Sequence, residues 1–274
     1  MTRGKPGKAA RQRALRKQAK TAFAASRKAE ARYVRALVGT LRGAADATIA
    51  ALAPHFRGDR SAGPEAVRSD AAFGWSAALS RVEAAIRGRL AGIVGGAFDA
   101  MASVLQTSGY KAAAKILGVR ATELGINAQI ARARDRNIRL VEDAHRAYAE
   151  SVRAIIGDPA NFNKPWEEIR DLLLARGDVS ESRAELIARD QTLKLNGEIA
   201  QTRMKNAGVR RYTWSTSRDE RVRPDHAALE GQEFSWEAPP VVDERTGRRE
   251  HPGQDFQCRC VAIPVIDDLE GLDL

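Results

Sequence analysis

Apolar residues recur at helical spacing through most of this chain, and this periodicity constrains its fold more than any other feature. The pattern predicts helices over about 11–53, 65–106 and 122–156. Alanine is abundant and aromatic residues make up only 5% of the sequence, a composition that favours helices over β-sandwiches and barrels. We therefore expect a mainly α-helical protein, with a helical N-terminal body and a small α+β C-terminal module of short strands.

Glycine and proline residues interrupt the helical pattern and divide the chain into parts. The stretch from Pro54 to Pro64 is rich in Gly, Pro and charged residues, which predicts a linker. A further Ala-rich helix is predicted over 109–118. The predicted organisation is a basic helical arm whose first ten residues are disordered and which ends in the linker (1–60), a helical body (61–157), a C-terminal module (158–266) and an acidic tail (267–274).

Two helices are predicted at the start of the C-terminal module. Pro165 opens a short helix, and Gly177 is expected to end it. Ser182 and Glu185 have the spacing of a capping box, so a longer helix is expected from there to Gly208.

Positive charge is concentrated at the N-terminus. Residues 1–42 contain thirteen Lys or Arg and one acid, so their net charge is +12. The rest of the chain carries −2, which gives the formal net charge of +10. Such an arm is typical of contact with a polyanion, which would be salt-dependent and largely sequence-independent. A solvated tail, or one that docks on an acidic protein surface, is the alternative. The residues that we expect to contact double-stranded DNA are Lys5, Lys8, Arg11, Arg13, Arg16, Lys17, Lys20, Arg27 and Lys28.

The sequence predicts neither a membrane partner nor secretion. No uninterrupted apolar run approaches the about 18 residues that a membrane span needs. The basic N-terminus also lacks the apolar core of a signal peptide. The two cysteines, Cys258 and Cys260, are separated by one residue and form no disulfide framework, so we expect reduced thiols in a cytosolic compartment.

Residue types that carry chemistry cluster near the C-terminus. Both cysteines lie there with His226 and His251. Alternation in the stretch VRRYTWST places Tyr212, Trp214 and Thr216 on one face of a strand. A brief helix through His226 and short strands around Phe234 and Val261 complete the predicted module.

One interpretation of this cluster is a zinc site, and it would be a structural one. Thiolates and imidazoles are the ligands of tetrahedral zinc, so His226, His251, Cys258 and Cys260 form a candidate ligand set. No cofactor other than this zinc is expected.

Two further interpretations stay open. Asp219, Asp225 and His226 could pair as acid and base, or a cysteine could act as a nucleophile with a histidine as its base. Neither a nucleophile elbow nor a phosphate-binding loop accompanies them. Alternatively the residues are structural, with the small cysteines packed inside and Asp219, Arg221, Arg223 and Asp225 bracing a loop. On residue chemistry alone the structural interpretation is favoured.

The ordered motifs of residues 160–264 resemble the MuF family of minor head proteins of tailed bacteriophages, also called phage head morphogenesis proteins. The first motif is the IAR of a helix, and the last is C-x-C with a central arginine. The residues that carry the resemblance are Ile187, Ala188, Arg189, Gly208, Tyr212, Trp214, Asp219, Arg221, Arg223, His226, Gly231, Pro252, Gly253, Cys258, Arg259 and Cys260. The helical first half carries no signature of the family.

The resemblance implies a non-enzymatic, low-copy component of a phage head that acts in head morphogenesis at the portal vertex, encoded by a phage or a prophage. The implied partners are the portal protein, the major capsid protein and packaged DNA. The implied location is the interior of the virion head, and the host cytoplasm during assembly. Some MuF proteins carry a toxin or enzyme domain after the module, and we expect none here, because about ten residues follow the last predicted strand.

Two alternatives to this function remain. One is a DNA-binding assembly factor that is absent from the finished particle. The other is a metal-dependent nuclease that uses Asp219 and His226.

Overall fold

Long helices dominate the computed structural model, which describes residues 7–56, 64–107, 125–161 and 164–265. They are α1 (Lys8–Phe56), α2 (Pro64–Thr107), α3 (Ile126–Gly157) and α4 (Trp166–Asn206). A 3-10 turn at Pro159–Asn161 lies between α3 and α4. The predicted mainly α-helical class with a small C-terminal module of strands is confirmed.

The C-terminal module consists of one short helix and five short strands within the described residues. In chain order these are β1 (Arg211–Ser215), α5 (Pro224–Ala228), β2 (Glu233–Ser235), β3 (Val241–Asp243), β4 (Arg248–Arg249) and β5 (Val261–Pro264). An antiparallel sheet has the order β2-β1-β5, and β3 pairs with β4 in a separate ribbon. Tyr212 lies opposite Phe234, and Trp214 lies opposite Ala262.

Strand β1 confirms the predicted alternation for Tyr212 and Trp214, whereas Thr216 lies beyond the end of the strand and is partly buried. Tyr212 and Trp214 are fully buried, whereas their neighbours in the strand are partly exposed. Side chains of a strand point alternately to its two faces, so both aromatic rings lie in the core of the module. The other segments of the module therefore pack against this strand.

The predicted helix end at Gly177 is wrong, because α4 runs without a break from Trp166 to Asn206. Leu173, Gly177, Ser180 and Ala184 form a buried face at helical spacing, and this face continues through the glycine. A glycine inside a helix costs only about 1 kcal/mol, which burial of such a face outweighs. The capping-box pair thus lies inside the helix and does not begin one.

The ends of α1 and α2 also differ from the prediction. Helix α1 begins at Lys8, inside the stretch expected to be disordered, and continues through Pro54 to Phe56. Helix α2 begins at Pro64, and proline suits a first helical position because its φ is fixed and its missing N–H is not needed there. Several predicted segments lie outside the described residues. They are residues 1–6, most of the predicted linker (57–63), the predicted helix at 109–118 and the acidic tail.

The described chain packs as two units, each with its own core. One unit comprises the described residues of Met1–Arg32, Asp99–Arg134 and Arg189–Leu274, and its core contains Leu15, Met204, Tyr212, Trp214 and Trp236. The other comprises those of Tyr33–Phe98 and Asp135–Ala188, and its core contains Leu52, Leu79, Val152, Trp166 and Leu173. The first unit holds the strands of the C-terminal module and the chemistry described below.

Two described helical segments are long and apolar enough to cross a membrane by length and composition. They are Ala24–Phe56 and Gly74–Thr107, with windows of mean hydropathy 1.2 and 1.3. A buried helix of a soluble protein passes the same test, and 33% and 39% of these windows are buried. Glycines and charged residues separate the apolar residues of these segments, so neither contains an uninterrupted apolar run of the length of a membrane span.

Candidate functional site

Two segments of the C-terminal module meet around His226. Helix α5 carries His226 and begins with Pro224, which presets the backbone for the first helical turn. The segment between β4 and β5 carries Asp255, Cys258 and Cys260. The fold therefore brings together residues that are about thirty positions apart in the sequence.

The segment between β4 and β5 is held in shape by its backbone and by α4. Gly253 has a φ of +83°, a left-handed conformation that glycine adopts without strain. Gln257 has a φ of +50°, and its backbone N–H donates to Asp190 Oδ1 at 2.9 Å. A Cβ on Gly197 of α4 would lie 2.9 Å from the backbone oxygen of Pro252, so the absence of a side chain allows this close approach. These contacts fix the cysteines relative to α4.

The imidazole of His226 faces both thiols. Its Nδ1 lies 3.5 Å from Cys258 Sγ and 3.5 Å from Cys260 Sγ, and the three candidate ligand atoms all lie within 4.8 Å of one another. His226 and Cys258 are each 2% exposed, and Cys260 is 6% exposed. One nitrogen and two sulfur atoms thus converge in the interior of the module.

A buried carboxylate lies on the opposite side of the imidazole. Asp255 Oδ2 is 3.1 Å from His226 Nε2, and its side chain is fully buried. Arg223 donates to Oδ2 at 2.6 Å, and Arg248 forms an ion pair with Oδ1 at 2.9 Å. If Nε2 carries the ring proton and donates it to Asp255, the lone pair of Nδ1 faces the thiols.

The surroundings of the two thiols shift their acidities in opposite directions. A hydrogen bond with Cys260 is the main cause that lowers the pKa of the Cys258 thiol, and His226 lowers it further against the effect of burial. The same hydrogen bond, together with burial, raises the pKa of the Cys260 thiol. The thiol of Cys258 therefore loses its proton more readily than the thiol of Cys260.

The chemistry open to this group depends on burial. Cys258, His226 and Asp255 have the order of a nucleophile, a base and the group that orients it. A nucleophile must reach a substrate, however, and both Cys258 and His226 are almost completely buried. An enclosed set of one imidazole and two thiols is instead the donor set of a zinc ion.

The structure does not place His251 with the other three predicted ligands. Its Nδ1 lies 2.9 Å from the hydroxyl of Tyr212, and its ring packs edge-on against Trp236. Burial is the main cause that lowers the pKa of His251, so its neutral form is favoured in this packing. Within the described residues, the group that could hold a metal ion consists of His226, Cys258 and Cys260.

The carboxylates that the sequence analysis paired with His226 have other partners. Arg259 binds Asp219 through both ends of its guanidinium, with Nη2 2.6 Å from Oδ1. Asp225 Oδ2 accepts the backbone N–H of Glu244 at 3.2 Å. The carboxylate that reaches His226 is Asp255, which the sequence analysis missed although it lies three residues before Cys258.

A family model described as "Phage Mu protein F like protein" matches residues 156–263. This span covers the sheet, α5 and the His226 group, and it begins next to the predicted start of the module. Residues 156–263 thus resemble the Phage Mu protein F-like family. The predicted resemblance is therefore confirmed for this segment, and it connects the chain with phage head proteins of a structural and morphogenetic family.

A similar protein is known from Haemophilus influenzae, where it is named "Uncharacterized protein". It is 40% identical over 140 residues, which cover 50% of this chain and 29% of the relative. The chain thus spans less than a third of that relative's length. No solved structure matches the chain.

The remaining motif residues of the Mu F-like segment are placed as follows. Arg189 of α4 lies 3.9 Å from Glu30 Oε1 of α1, and Arg221 donates its backbone N–H to Asp219. Gly231 has a φ of +79°, which a glycine accommodates without strain. With Trp214 in the core and Arg259 bound to Asp219, these residues support the shape of the segment.

The predicted DNA-binding residues lie on helix α1, with the exception of Lys5, which is outside the described residues. The side chains of Lys8, Arg11, Arg16 and Lys20 are not among those described. Arg13, Lys17, Arg27 and Lys28 are exposed. Leu15, Ser26 and Ala29 of the same helix are buried. The basic segment is therefore a helix with one buried and one exposed face.

Proposed function

We propose that this protein is a minor structural component of a tailed-phage head, encoded by a phage or a prophage. It acts in head morphogenesis near the portal and contacts packaged DNA through α1, and it is not an enzyme. The observation that carries this proposal is the Mu F-like segment joined to a helix whose exposed face is basic.

The geometry of α1 supports the contact with DNA. Successive residues of a helix are rotated by about 100°, so Arg13, Lys17, Arg27 and Lys28 fall within a sector of about 100°. The buried residues Leu15, Ser26 and Ala29 fall on the opposite side of the helix. A strip on one face of a rigid helix that carries two pairs of cations suits contact with the phosphates of DNA.

The single acid among the first 42 residues does not interrupt this strip. Glu30 is half-buried on the side of the helix that faces Arg189. Burial raises the pKa of Glu30, which opposes its ionisation, although Arg189 acts in the other direction. The exposed face of α1 therefore keeps its positive charge.

The Mu F-like segment also exposes an apolar side chain that suits contact with a protein. Phe256 is 59% exposed, and the cations of Lys194 and Arg248 lie 4.7 Å and 5.0 Å from its ring centre. Aromatic and arginine side chains are enriched at protein interfaces. We assign contact with the portal or the major capsid protein to this surface.

The DNA contact is tested by charge removal. Replacing Arg13, Lys17, Arg27 and Lys28 with Gln should weaken binding to duplex DNA and reduce the slope of log K against log salt by about 0.9 for each phosphate that the variant no longer neutralises. Fluorescence anisotropy over a salt series measures this slope. The control replaces four exposed arginines elsewhere, Arg139, Arg176, Arg183 and Arg245, with Gln. Equal weakening in both variants would contradict a dedicated face and indicate an effect of net charge.

The head assignment is tested on particles. Quantitative mass spectrometry of purified, nuclease-treated phage should detect the protein at a few copies per head, far below the major capsid protein. Absence from heads but presence in lysates would favour the assembly factor. DNA degradation that requires a divalent metal and is abolished by His226→Ala would favour the nuclease, although the structure pairs Asp219 with Arg259 and His226 with Asp255.

A further inference from the structure

We propose that His226 Nδ1, Cys258 Sγ and Cys260 Sγ bind a zinc ion that stabilises the Mu F-like segment. This inference rests on the geometry of the three side chains and is independent of the phage-head role.

The distances between the donor atoms fit a tetrahedral ion. Zinc lies about 2.3 Å from thiolate sulfur and about 2.0–2.1 Å from imidazole nitrogen, so a tetrahedral angle places nitrogen and sulfur about 3.5 Å apart. His226 Nδ1 is 3.5 Å from each of the two sulfur atoms. Two thiols that merely shared a hydrogen bond with the imidazole would not need to be equidistant from it.

The residues around the three ligands form the outer layer that zinc sites have. A histidine ligand commonly donates its other ring N–H to a carboxylate, which fixes the tautomer and orients the ring. Asp255 lies 3.1 Å from His226 Nε2 and occupies this position. Arg223 donates to Oδ2 of Asp255 and Arg248 forms an ion pair with Oδ1, so arginines hold both oxygens of the carboxylate.

The ion would join α5 to the segment that carries the cysteines, which Arg223 and His226 also connect through Asp255. His226 lies in a five-residue helix, and the two cysteines lie in a stretch without regular structure before β5. Three protein ligands leave one tetrahedral position, which water can fill. Because an ion that binds the folded segment and not the unfolded one adds its binding free energy to stability, the segment should become less stable without it.

Two other roles of the thiols, as a nucleophile and as a disulfide, fit the structure less well. A nucleophile would need access for a substrate, whereas Cys258 is 2% exposed. A disulfide between residues i and i+2 would require unfavourable geometry. A metal ion needs neither access for a substrate nor a change of the backbone, since it can be taken up as the segment folds.

The test uses the full chain, produced once in zinc-containing and once in cobalt-supplemented medium, in the presence of a reductant. Elemental analysis should find about one zinc per chain after dialysis. The cobalt form should show thiolate charge-transfer bands and the intense visible bands of a tetrahedral site. Both thiols should resist alkylation until a strong chelator is added, and the chelator should lower the melting temperature.

Two variants identify the ligands. His226→Asn should lose the metal and the cobalt bands, whereas the matched control His251→Gln should retain both, because His251 lies outside the group. If His226→Asn does not fold, the spectrum and the thiol protection of the unaltered protein still decide the question. Protein that holds no metal, takes up no cobalt and reacts at both thiols without chelator would overturn the proposal. Loss of metal from His251→Gln while that variant stays folded would overturn the ligand set.

Discussion

At the scale of single residues, buried histidines in this protein have different surroundings. The ring of His226 faces thiols on one side and a carboxylate on the other, whereas His145 of α3 is 6% exposed in the core of the other unit. Burial is the main cause that lowers the pKa of His145 from its usual 6.5, and Glu83 opposes this effect. Protonation of this side chain is therefore coupled to unfolding.

The pH dependence of stability should report this coupling. Well above pH 6.5 His145 is neutral in both the folded and the unfolded states, and it does not affect the free energy of unfolding. As the pH falls below that value, the unfolded chain takes up a proton that the folded chain resists, so the free energy of unfolding decreases. We expect His145→Gln to reduce this loss, so that the difference in unfolding free energy between the two proteins changes between pH 7.5 and 5.5. Urea unfolding at several pH values measures it, and a difference that does not vary with pH would contradict the coupling.

At the scale of elements, α4 uses two glycines in different ways. A Cβ on Gly177 would meet only Ala45 Cβ, at 3.5 Å, which is an ordinary contact. A Cβ on Gly197 would lie 2.9 Å from the Pro252 oxygen, and backbone atoms cannot move aside as easily as a flexible side chain. Gly177 therefore weakens the helix without a gain in packing, whereas Gly197 permits close packing of the segment that carries the cysteines.

Replacing each glycine with alanine should separate these roles. Gly177→Ala should stabilise the protein by up to about 1 kcal/mol, because alanine is the better helix former. Gly197→Ala should destabilise it by about 1–3 kcal/mol, the usual cost of overpacking. Chemical denaturation followed by tryptophan fluorescence measures both. Equal effects of the two substitutions would show that helix propensity alone acts, and that the contact with Pro252 is unimportant.

Elements also show what the sequence could reveal. Helices α1 to α4 and strand β1 follow from periodicity, since burial of an apolar face requires repeats of 3.6 or 2 residues. The continuity of α4 could not be predicted, because glycine and a capping-box pair are local signals, whereas the burial of Leu173, Gly177 and Ala184 depends on distant residues. Local preference was outweighed by tertiary packing in this case.

The sequence indicated which residue types form the candidate site, but not which individual residues belong to it. Cys258, Cys260 and His226 could be selected because thiolates and imidazoles are ligands of zinc, although residue chemistry alone favoured a structural role. The exclusion of His251 and the inclusion of Asp255 depend on how the segment between β4 and β5 folds back towards α5. Asp255 is an ordinary acid in the sequence, and only its complete burial beside two arginines distinguishes it.

At the scale of the whole molecule, the N-terminal segment is part of a folded core. The sequence analysis treated the first sixty residues as an arm, yet Leu15 of α1 is 1% exposed and belongs to the same core as Tyr212 and Trp214. Charge could be counted from the sequence, whereas the side of the helix that it occupies could be described only once the buried face was known. A truncation that removes the basic residues would therefore also remove part of this core.

The burial of Leu15 determines how costly the proposed contact with DNA would be. From Arg13 to Lys28 a helix rises about 22 Å, at 1.5 Å per residue, and thus spans six to seven base pairs at about 3.4 Å each. A disordered tail loses conformational entropy when it binds, and this loss subtracts from its affinity. A helix anchored by its own core has already lost that entropy during folding. The basic face would therefore meet DNA as a preformed surface, with Arg13 and Lys17 near one end of this span and Arg27 and Lys28 at the other.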